Sequence, residues 1–113
     1  MQSMSDAPYL GELEQLLLLA ILQCGEGAYT VPIREVLASR SGRRISRGAL
    51  YTSLDRLEAK GLVKSHLGEP LAIRGGRSRR YFAVTPAGLT ALRHARAAVA
   101  RLSRGIESLL ERK

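Results

Sequence analysis

The sequence predicts a mainly helical α+β fold in which a two-stranded hairpin lies between helices. Apolar residues recur at helical spacing in three segments before Gly61 and in one long segment after Pro86, whereas the intervening segment alternates with a period of two. The chain has 113 residues, 45% of them hydrophobic, which suits one folded domain. A large multidomain enzyme is therefore excluded.

The first predicted helix begins near Tyr9, after a polar segment, residues 1–8, that is expected to be a loose tail. Apolar residues in the run 16–22 cover most of the circumference of this helix, so it needs packing partners on several sides. The run is much shorter than the roughly 20 residues needed to cross a bilayer, and no membrane contact is expected. Gly25 and Gly27 predict the end of the helix.

The second helix is predicted to begin near Thr30 and to end at residues 40–42. Thr30 is expected to cap its N-terminus, and Pro32 fits the first helical turn, where no backbone N–H is needed. Its core-facing side is a narrow apolar stripe formed by Ile33, Val36 and Leu37.

The third helix is predicted to run from its N-cap, Ser46, to about Lys60. Its buried stripe consists of Leu50, Leu54 and Leu57, at i, i+4 and i+7. At about 100° per residue, the opposite side is small, polar and cationic near its N-terminus. That solvent-facing side contains Gly48, Thr52, Asp55, Arg56 and Ala59, with Arg47 and Tyr51 beside it.

The hairpin is predicted from two strands, residues 62–67 and 80–84, with Phe82 and Val84 on one face. The connection between the strands is long and cationic, since residues 74–80 hold four arginines and two glycines. We expect this tip to be mobile until a ligand orders it.

Thr85 as N-cap and Pro86 at the first helical position predict a last helix that runs to about Glu111. Its apolar residues follow at alternate spacings of three and four, a heptad seam typical of helix–helix packing. Together with the first helix, the seam predicts a dimer interface. We expect that interface to consist of Leu10, Leu13, Leu17, Leu92, Ala95, Val99, Leu102, Ile106 and Leu109.

The positive charge is concentrated in the middle of the chain. The formal net charge is +8 and the pI is near 10.6. Residues 39–80 contain eleven Lys or Arg and three acidic residues, whereas the rest of the chain holds seven of each sign. An excess confined to one stretch is typical of a surface that binds phosphates.

This order of elements is that of a winged helix-turn-helix, whose third helix fits the major groove while the hairpin, or wing, follows the DNA backbone or enters the minor groove. Arg47 can reach a guanine edge or a phosphate, Thr52 a base or a thymine methyl, and Tyr51 a phosphate. We therefore expect double-stranded DNA as a partner. The predicted DNA-binding residues are Arg43, Arg44, Ser46, Arg47, Gly48, Tyr51, Thr52, Arg56, Lys64, Arg74, Arg77, Arg79 and Arg80.

Several blocks of the sequence resemble the PadR-like transcriptional regulators: residues 10–15 (LGELEQ), 17–22, 46–57 (SRGALYTSLDRL), 60–63 (KGLV) and 80–88 (RYFAVTPAG). The blocks keep their order and spacing, and the short chain is similar to the subfamily with one C-terminal dimerisation helix. The resemblance implies a homodimeric repressor whose third helix and wing contact an operator. A two-fold dimer should place its third helices on a near-palindromic site. The response to a small-molecule effector or a partner varies between members of the family.

We accordingly expect a DNA-binding winged domain over residues 9–85 and a dimerisation helix over residues 86–113. Two other functions stay open. The basic surface could bind RNA or an acidic protein partner, with the winged fold as a scaffold, or the chain could be a small-molecule sensor whose DNA contact is secondary.

Neither catalysis nor a cofactor is expected. The sequence contains no Gly-x-Ser-x-Gly and no phosphate-binding loop, so no enzyme is predicted. His66 and His94 are far apart and have no Cys, Asp or Glu at ligand spacing, which argues against a metal site. Cys24 is the sole cysteine, which favours a reducing cytoplasm as the location of the protein. We expect its side chain to be a small, buried apolar group, with a redox sensor as the alternative.

Overall fold

The computed structural model describes residues 9–70 and 78–111, which form helices around one antiparallel hairpin. A short 3-10 turn, Gly25–Gly27, joins the first two helices. Within the described residues, no helix is long and apolar enough to pass through a membrane. The elements are α1 (Glu12–Cys24), α2 (Thr30–Ser41), α3 (Arg47–Ala59), β1 (Val63–Pro70), β2 (Ser78–Val84), α4 (Pro86–Ser103) and α5 (Glu107–Leu110). The predicted mainly helical fold with a two-stranded sheet is confirmed.

Helix α1 is the centre of the core. It packs against α2, α3, α4 and β2, as its nearly continuous apolar surface predicts. Leu17 and Leu18 are completely buried, and Ile21 almost so. Helices α2, α3 and α4 each contribute residues to the same cluster, and the predicted α3 leucines, Leu50, Leu54 and Leu57, are fully buried in it.

Two of the predicted helix caps are confirmed. The Ser46 hydroxyl accepts a hydrogen bond from the Ala49 N–H (3.1 Å), and Thr85 Oγ1 accepts one from the Gly88 N–H (3.0 Å). Thr85 also donates its hydroxyl to the Gly61 carbonyl (2.6 Å), which ties the start of α4 to the end of α3. Each hydroxyl satisfies an N–H that the first helical turn leaves unpaired.

The prediction that Thr30 caps α2 is wrong. The N-cap is Tyr29, because the Ile33 N–H bonds to the Tyr29 carbonyl (3.1 Å) and places Thr30 inside the first turn. Tyr29 is itself held by a bond from its N–H to the Gly27 carbonyl (3.0 Å). The turn after α1 therefore sets where α2 begins, and no side chain caps this helix.

The prediction of one unbroken helix from Pro86 to Glu111 is also wrong. Helix α4 ends at Ser103, and α5 is a separate turn that starts at Glu107. Between them Gly105 has a φ of +91°, a conformation that residues with a side chain rarely adopt. The Gly105 N–H donates to Glu107 Oε1 (2.8 Å) instead of continuing the helical ladder. The heptad seam is thus interrupted after α4.

The hairpin is longer than predicted at its distal end. Val63 pairs with Val84, Ser65 with Phe82 and Leu67 with Arg80, and a register shift follows before Pro70. Phe82 is buried, and its N–H donates to the Ala28 carbonyl (2.8 Å), which ties the base of the wing to the connection between α1 and α2. The cationic tip containing Arg74 and Arg77, and the predicted tail at residues 1–8, lie outside the described residues.

Gly88 provides a test of how tightly α4 packs on the end of α3. A Cβ at this position would lie 2.1 Å from the Leu62 carbonyl oxygen and 2.8 Å from Val84 Cγ1. Gly88→Ala should therefore lower the free energy of unfolding by about 3 kcal/mol, the upper end of the usual range for overpacking. Urea unfolding measures this change.

Gly48→Ala is the matched control, because a Cβ at this position of α3 meets nothing within 4 Å. It should leave stability unchanged or raise it by about 0.5 kcal/mol, since alanine restricts the unfolded chain. Equal losses in the two variants would contradict the close approach of Gly88 to Leu62.

Glu14 predicts a pH-dependent contribution to stability. Burial raises its pKa, but the Lys60 hydrogen bond, the Gly11 N–H and the charges of Lys60 and Arg56 outweigh burial and leave the pKa below its ordinary value of 4.5. Because the folded-state pKa is the lower one, charged Glu14 stabilises the fold above about pH 4.5, and this contribution disappears as the pH falls through the folded-state pKa.

Glu14→Gln keeps an oxygen for the Gly11 N–H and removes the charge. It should reduce the free energy of unfolding at pH 7, and its difference from the wild type should shrink at pH 3, as measured by urea unfolding. In a Lys60→Gln background the same substitution should have a smaller effect at pH 7. A difference that is independent of pH would exclude a charge effect.

Candidate nucleic-acid interface

Helix α3 presents to solvent the face that the sequence predicts. Burial of its three leucines turns Arg47, Gly48, Thr52 and Arg56 outward, and all four are exposed. Tyr51 lies beside them and is 39% exposed. Among the ion pairs of the described residues, neither Arg47 nor Arg56 takes part, so their guanidinium groups are available to an external anion. A helix with such an exposed face matches the width of the DNA major groove.

A cleft of about 450 Å³ lies between α2 and the start of α3, and three arginines line it. Arg44 and Arg47 are predicted DNA-binding residues, whereas Arg34 was not predicted. The Arg34 Nε–H donates to the Ile45 carbonyl (2.9 Å), which holds its guanidinium beside the connection from α2 to α3. Glu35 lines the same cleft and offsets part of the charge. The cleft suits a phosphate group, since arginine forms paired hydrogen bonds to phosphate oxygens.

On the outer face of the wing, an arginine side chain packs against a cluster of aromatic rings. The Arg79 guanidinium lies 4.3 Å from the ring centre of Tyr29, and the Tyr29 and Tyr81 rings meet edge to face at 5.7 Å. His66 stacks on the other side of Tyr81, also at 5.7 Å. Tyr81 is therefore a packing residue, while Arg79 and the neighbouring Lys64 are exposed.

Three of the predicted DNA-binding residues already have partners within the chain. Ser46 caps α3 with its hydroxyl. Arg43 forms an ion pair with Glu12 at 2.8 Å, on a side chain that is 41% exposed, and such surface pairs contribute little and exchange readily. Arg80 forms ion pairs with Asp55 and Glu58 of α3. Arg80 is thus held by two carboxylates of the protein, whereas Arg43 makes only a weak surface pair.

The predicted dimer residues fall into three groups. Leu10, Leu17 and Leu92 are buried in the core of the chain, which corrects their assignment to the interface. Leu13 and Ala95 are half-buried at the edge of the core and stay predicted interface residues. The exposed remainder is called the C-terminal apolar stripe and consists of Val99, Leu102, Ile106 and Leu109.

Cys24, at the end of α1, is half buried beside the core. Burial raises the pKa of its thiol, which disfavours the reactive thiolate. Cys24 is therefore less buried than expected, and its role as a small apolar residue stays a prediction.

The helices and the hairpin form a winged helix-turn-helix, the class of DNA-binding fold in which one exposed helix and a wing face the duplex. Comparison with known proteins identifies the family. Residues 18–94 match the Transcriptional regulator PadR-like family. This chain belongs to that family of transcriptional regulators.

Individual relatives agree with this assignment. The chain is 44% identical over 68 residues to the transcriptional regulator Rv3488 of Mycobacterium tuberculosis, a match that spans 60% of this chain and 60% of the length of that regulator. A PadR-like regulator from Bacillus cereus has a similar structure, with a TM-score of 0.68, 26% identity and coverage of 89% of this chain and 93% of that one. A PadR family regulator from Eggerthella lenta has a TM-score of 0.65 and 31% identity, with coverage of 88% and 84%.

Proposed function

We propose that the protein is a homodimeric repressor that binds a near-palindromic operator through α3 and the basic wing. The observation that carries the proposal is the exposed polar face of α3, whose opposite side is locked in the core. Base edges in the major groove are accessible to side chains on such a face. Membership of the PadR-like family supports DNA as the partner.

Base recognition is assigned to the N-terminal half of α3. Arg47 is placed to reach a guanine edge or a phosphate, and Thr52 to reach a base or a thymine methyl. Gly48 allows close approach, since a Cβ there would meet open space. Tyr51 and Arg56 are assigned to the phosphate backbone.

Phosphate binding is assigned to the cations on either side of α3. On one side the arginines of the α2–α3 cleft, Arg34 and Arg44, face solvent with Arg47. On the other side are the wing residues Lys64 and Arg79. Arg74 and Arg77, which lie outside the described residues, are proposed to extend this contact along the duplex.

Dimerisation is assigned to the C-terminal apolar stripe. Leu102 is 83% exposed and Leu109 63% exposed, and several large exposed apolar side chains near one end of a chain are typical of a protein–protein interface. A two-fold dimer that binds DNA places its recognition helices about one helical turn, roughly 34 Å, apart. This geometry requires a near-palindromic site.

The salt dependence of binding tests the DNA contact. Six to ten phosphate contacts should give a slope of log K against log salt of about −5 to −9. A gel-shift titration against duplexes selected from a random-sequence pool measures both the slope and the preferred sequence. A slope near zero, or displacement of duplex DNA by structured RNA at equal or lower concentration, would contradict the proposal.

Variants separate base contacts from phosphate contacts. Arg47→Gln and Thr52→Ala should reduce discrimination between the selected duplex and a random one, because they remove groups that meet base edges. Arg79→Gln should weaken binding to both duplexes equally and reduce the salt slope by about 1. The reverse pattern would overturn the assignment of roles.

The dimer is tested by charge substitution in the C-terminal apolar stripe. Leu102→Glu should raise the dimer dissociation constant by about tenfold or more, since burial of one leucine contributes about 1.5–3 kcal/mol. Leu67→Glu is the control, because Leu67 is 69% exposed but lies on the wing. Sedimentation equilibrium distinguishes the species. A monomeric wild type, or equal dissociation of both variants, would contradict this interface.

A further inference from the structure

We infer that Arg80 is a positioning residue that fastens the wing to α3 and does not bind phosphate. The inference rests on the proposed DNA-binding function and deepens it, because it concerns how the wing is oriented relative to the recognition helix. It also separates Arg80 from its neighbour Arg79, although the two look equivalent in the basic stretch of the sequence.

All three guanidinium nitrogens of Arg80 have partners in the protein. Nη1 donates to Asp55 Oδ1 at 3.0 Å, Nη2 donates to Glu58 Oε1, and Nε donates to Ser65 Oγ at 3.1 Å. The guanidinium also lies 4.8 Å from the ring centre of Phe82, at the buried base of the wing. One planar group thus joins β2, β1 and α3, which a lysine ammonium cannot do with the same fixed geometry.

The partners of Arg80 are bonded to one another as well. The Ser65 hydroxyl shares its proton between the two Glu58 oxygens, at 2.9 and 3.1 Å, while it accepts from Arg80. The hydrogen bond from the Ser65 hydroxyl has the largest effect on the pKa of Glu58 and lowers it. Burial raises this pKa, but Ser65 and Arg80 together keep it below its ordinary value. Glu58 is therefore a charged partner at neutral pH.

The charge balance of the cluster does not favour phosphate. Asp55 and Glu58 are three residues apart on α3, so they lie on neighbouring parts of one helix surface and would repel each other and DNA if left unpaired. With Arg80 the cluster carries two negative charges and one positive charge. Arg80 reduces the repulsion that α3 would otherwise exert on the phosphate backbone, and no net positive charge remains at this point.

Arg79 has the opposite environment because successive residues of a strand point to opposite faces. Its side chain lies over Tyr29 on the outer face, it is exposed, and none of the ion pairs in residues 9–70 and 78–111 includes it. Arg79 is free to meet a phosphate, whereas the side chain of Arg80 is 32% exposed and held by two carboxylates.

A thermodynamic cycle on DNA binding separates the two roles. Arg80→Gln is measured in the wild type and in an Asp55→Asn/Glu58→Gln background with the selected duplex. If Arg80 fastens the wing, its loss should weaken binding by about tenfold in the wild type and by less than about twofold in the background, since coupled residues are non-additive. Equal losses in both backgrounds, with a salt slope reduced by about 1 in each, would show a phosphate contact and overturn the inference.

Lysine substitutions give a second comparison. Arg79→Lys should bind more tightly than Arg79→Gln, because lysine keeps the positive charge that a phosphate contact needs. Arg80→Lys should resemble Arg80→Gln, since lysine cannot hold Asp55, Glu58 and Ser65 together. Full recovery of binding in Arg80→Lys would contradict a positioning role.

A measurement without DNA distinguishes failure of this inference from failure of the proposed function. Arg80→Gln, and independently Asp55→Asn/Glu58→Gln, should speed amide hydrogen exchange in the paired residues of β1 and β2 while α1 keeps its protection. Arg79→Gln should leave exchange in the hairpin unchanged. Unchanged exchange in both Arg80→Gln and Asp55→Asn/Glu58→Gln would overturn the inference even if the wild type binds DNA. Faster exchange in both would support it even if the wild type fails to bind DNA.

Discussion

Burial of the α3 leucines against α1 is the constraint on which the rest of the molecule depends. With Leu50, Leu54 and Leu57 enclosed, the helix cannot rotate about its axis, and Arg47, Thr52 and Arg56 on its opposite side stay exposed. The wing is then attached from two sides, by the Ala28 carbonyl and by the carboxylates of α3. The recognition helix α3 and the wing are held in a fixed relation because both pack against the same core.

Sequence patterns predicted the structural features that depend only on residues close together in the chain. The Ser46 and Thr85 caps each depend on an N–H three residues away, and both were evident from residue type and position. The start of α2 near Thr30 was predicted correctly, but its N-cap was not, because the cap position depends on the turn that holds Tyr29. The break after Ser103 was missed because a heptad pattern records only side chains, whereas the interruption arises from the backbone conformation of Gly105.

The candidate site was only partly predictable because charge pairing acts over long distances in sequence. Periodicity placed Arg47 and Thr52 on the open side of α3, and this required no tertiary information. Arg80 finds carboxylates 22 and 25 residues away, and Arg43 finds one 31 residues away. A count of cations in a stretch cannot separate free arginines from paired ones. Likewise, helical spacing does not distinguish leucines that fill the core, such as Leu17, from those that remain on the surface, such as Leu102.

The bond from the Phe82 N–H to the Ala28 carbonyl gives the hairpin a fixed pivot near its base. Arg80, which pairs with Leu67, fastens the same hairpin to α3 at a second point. Pro70 lies three residues beyond Leu67, so at about 3.4 Å per residue the strand projects roughly 10 Å past both attachments. The α1–α2 corner and α3 therefore jointly set the direction in which the end of the hairpin projects.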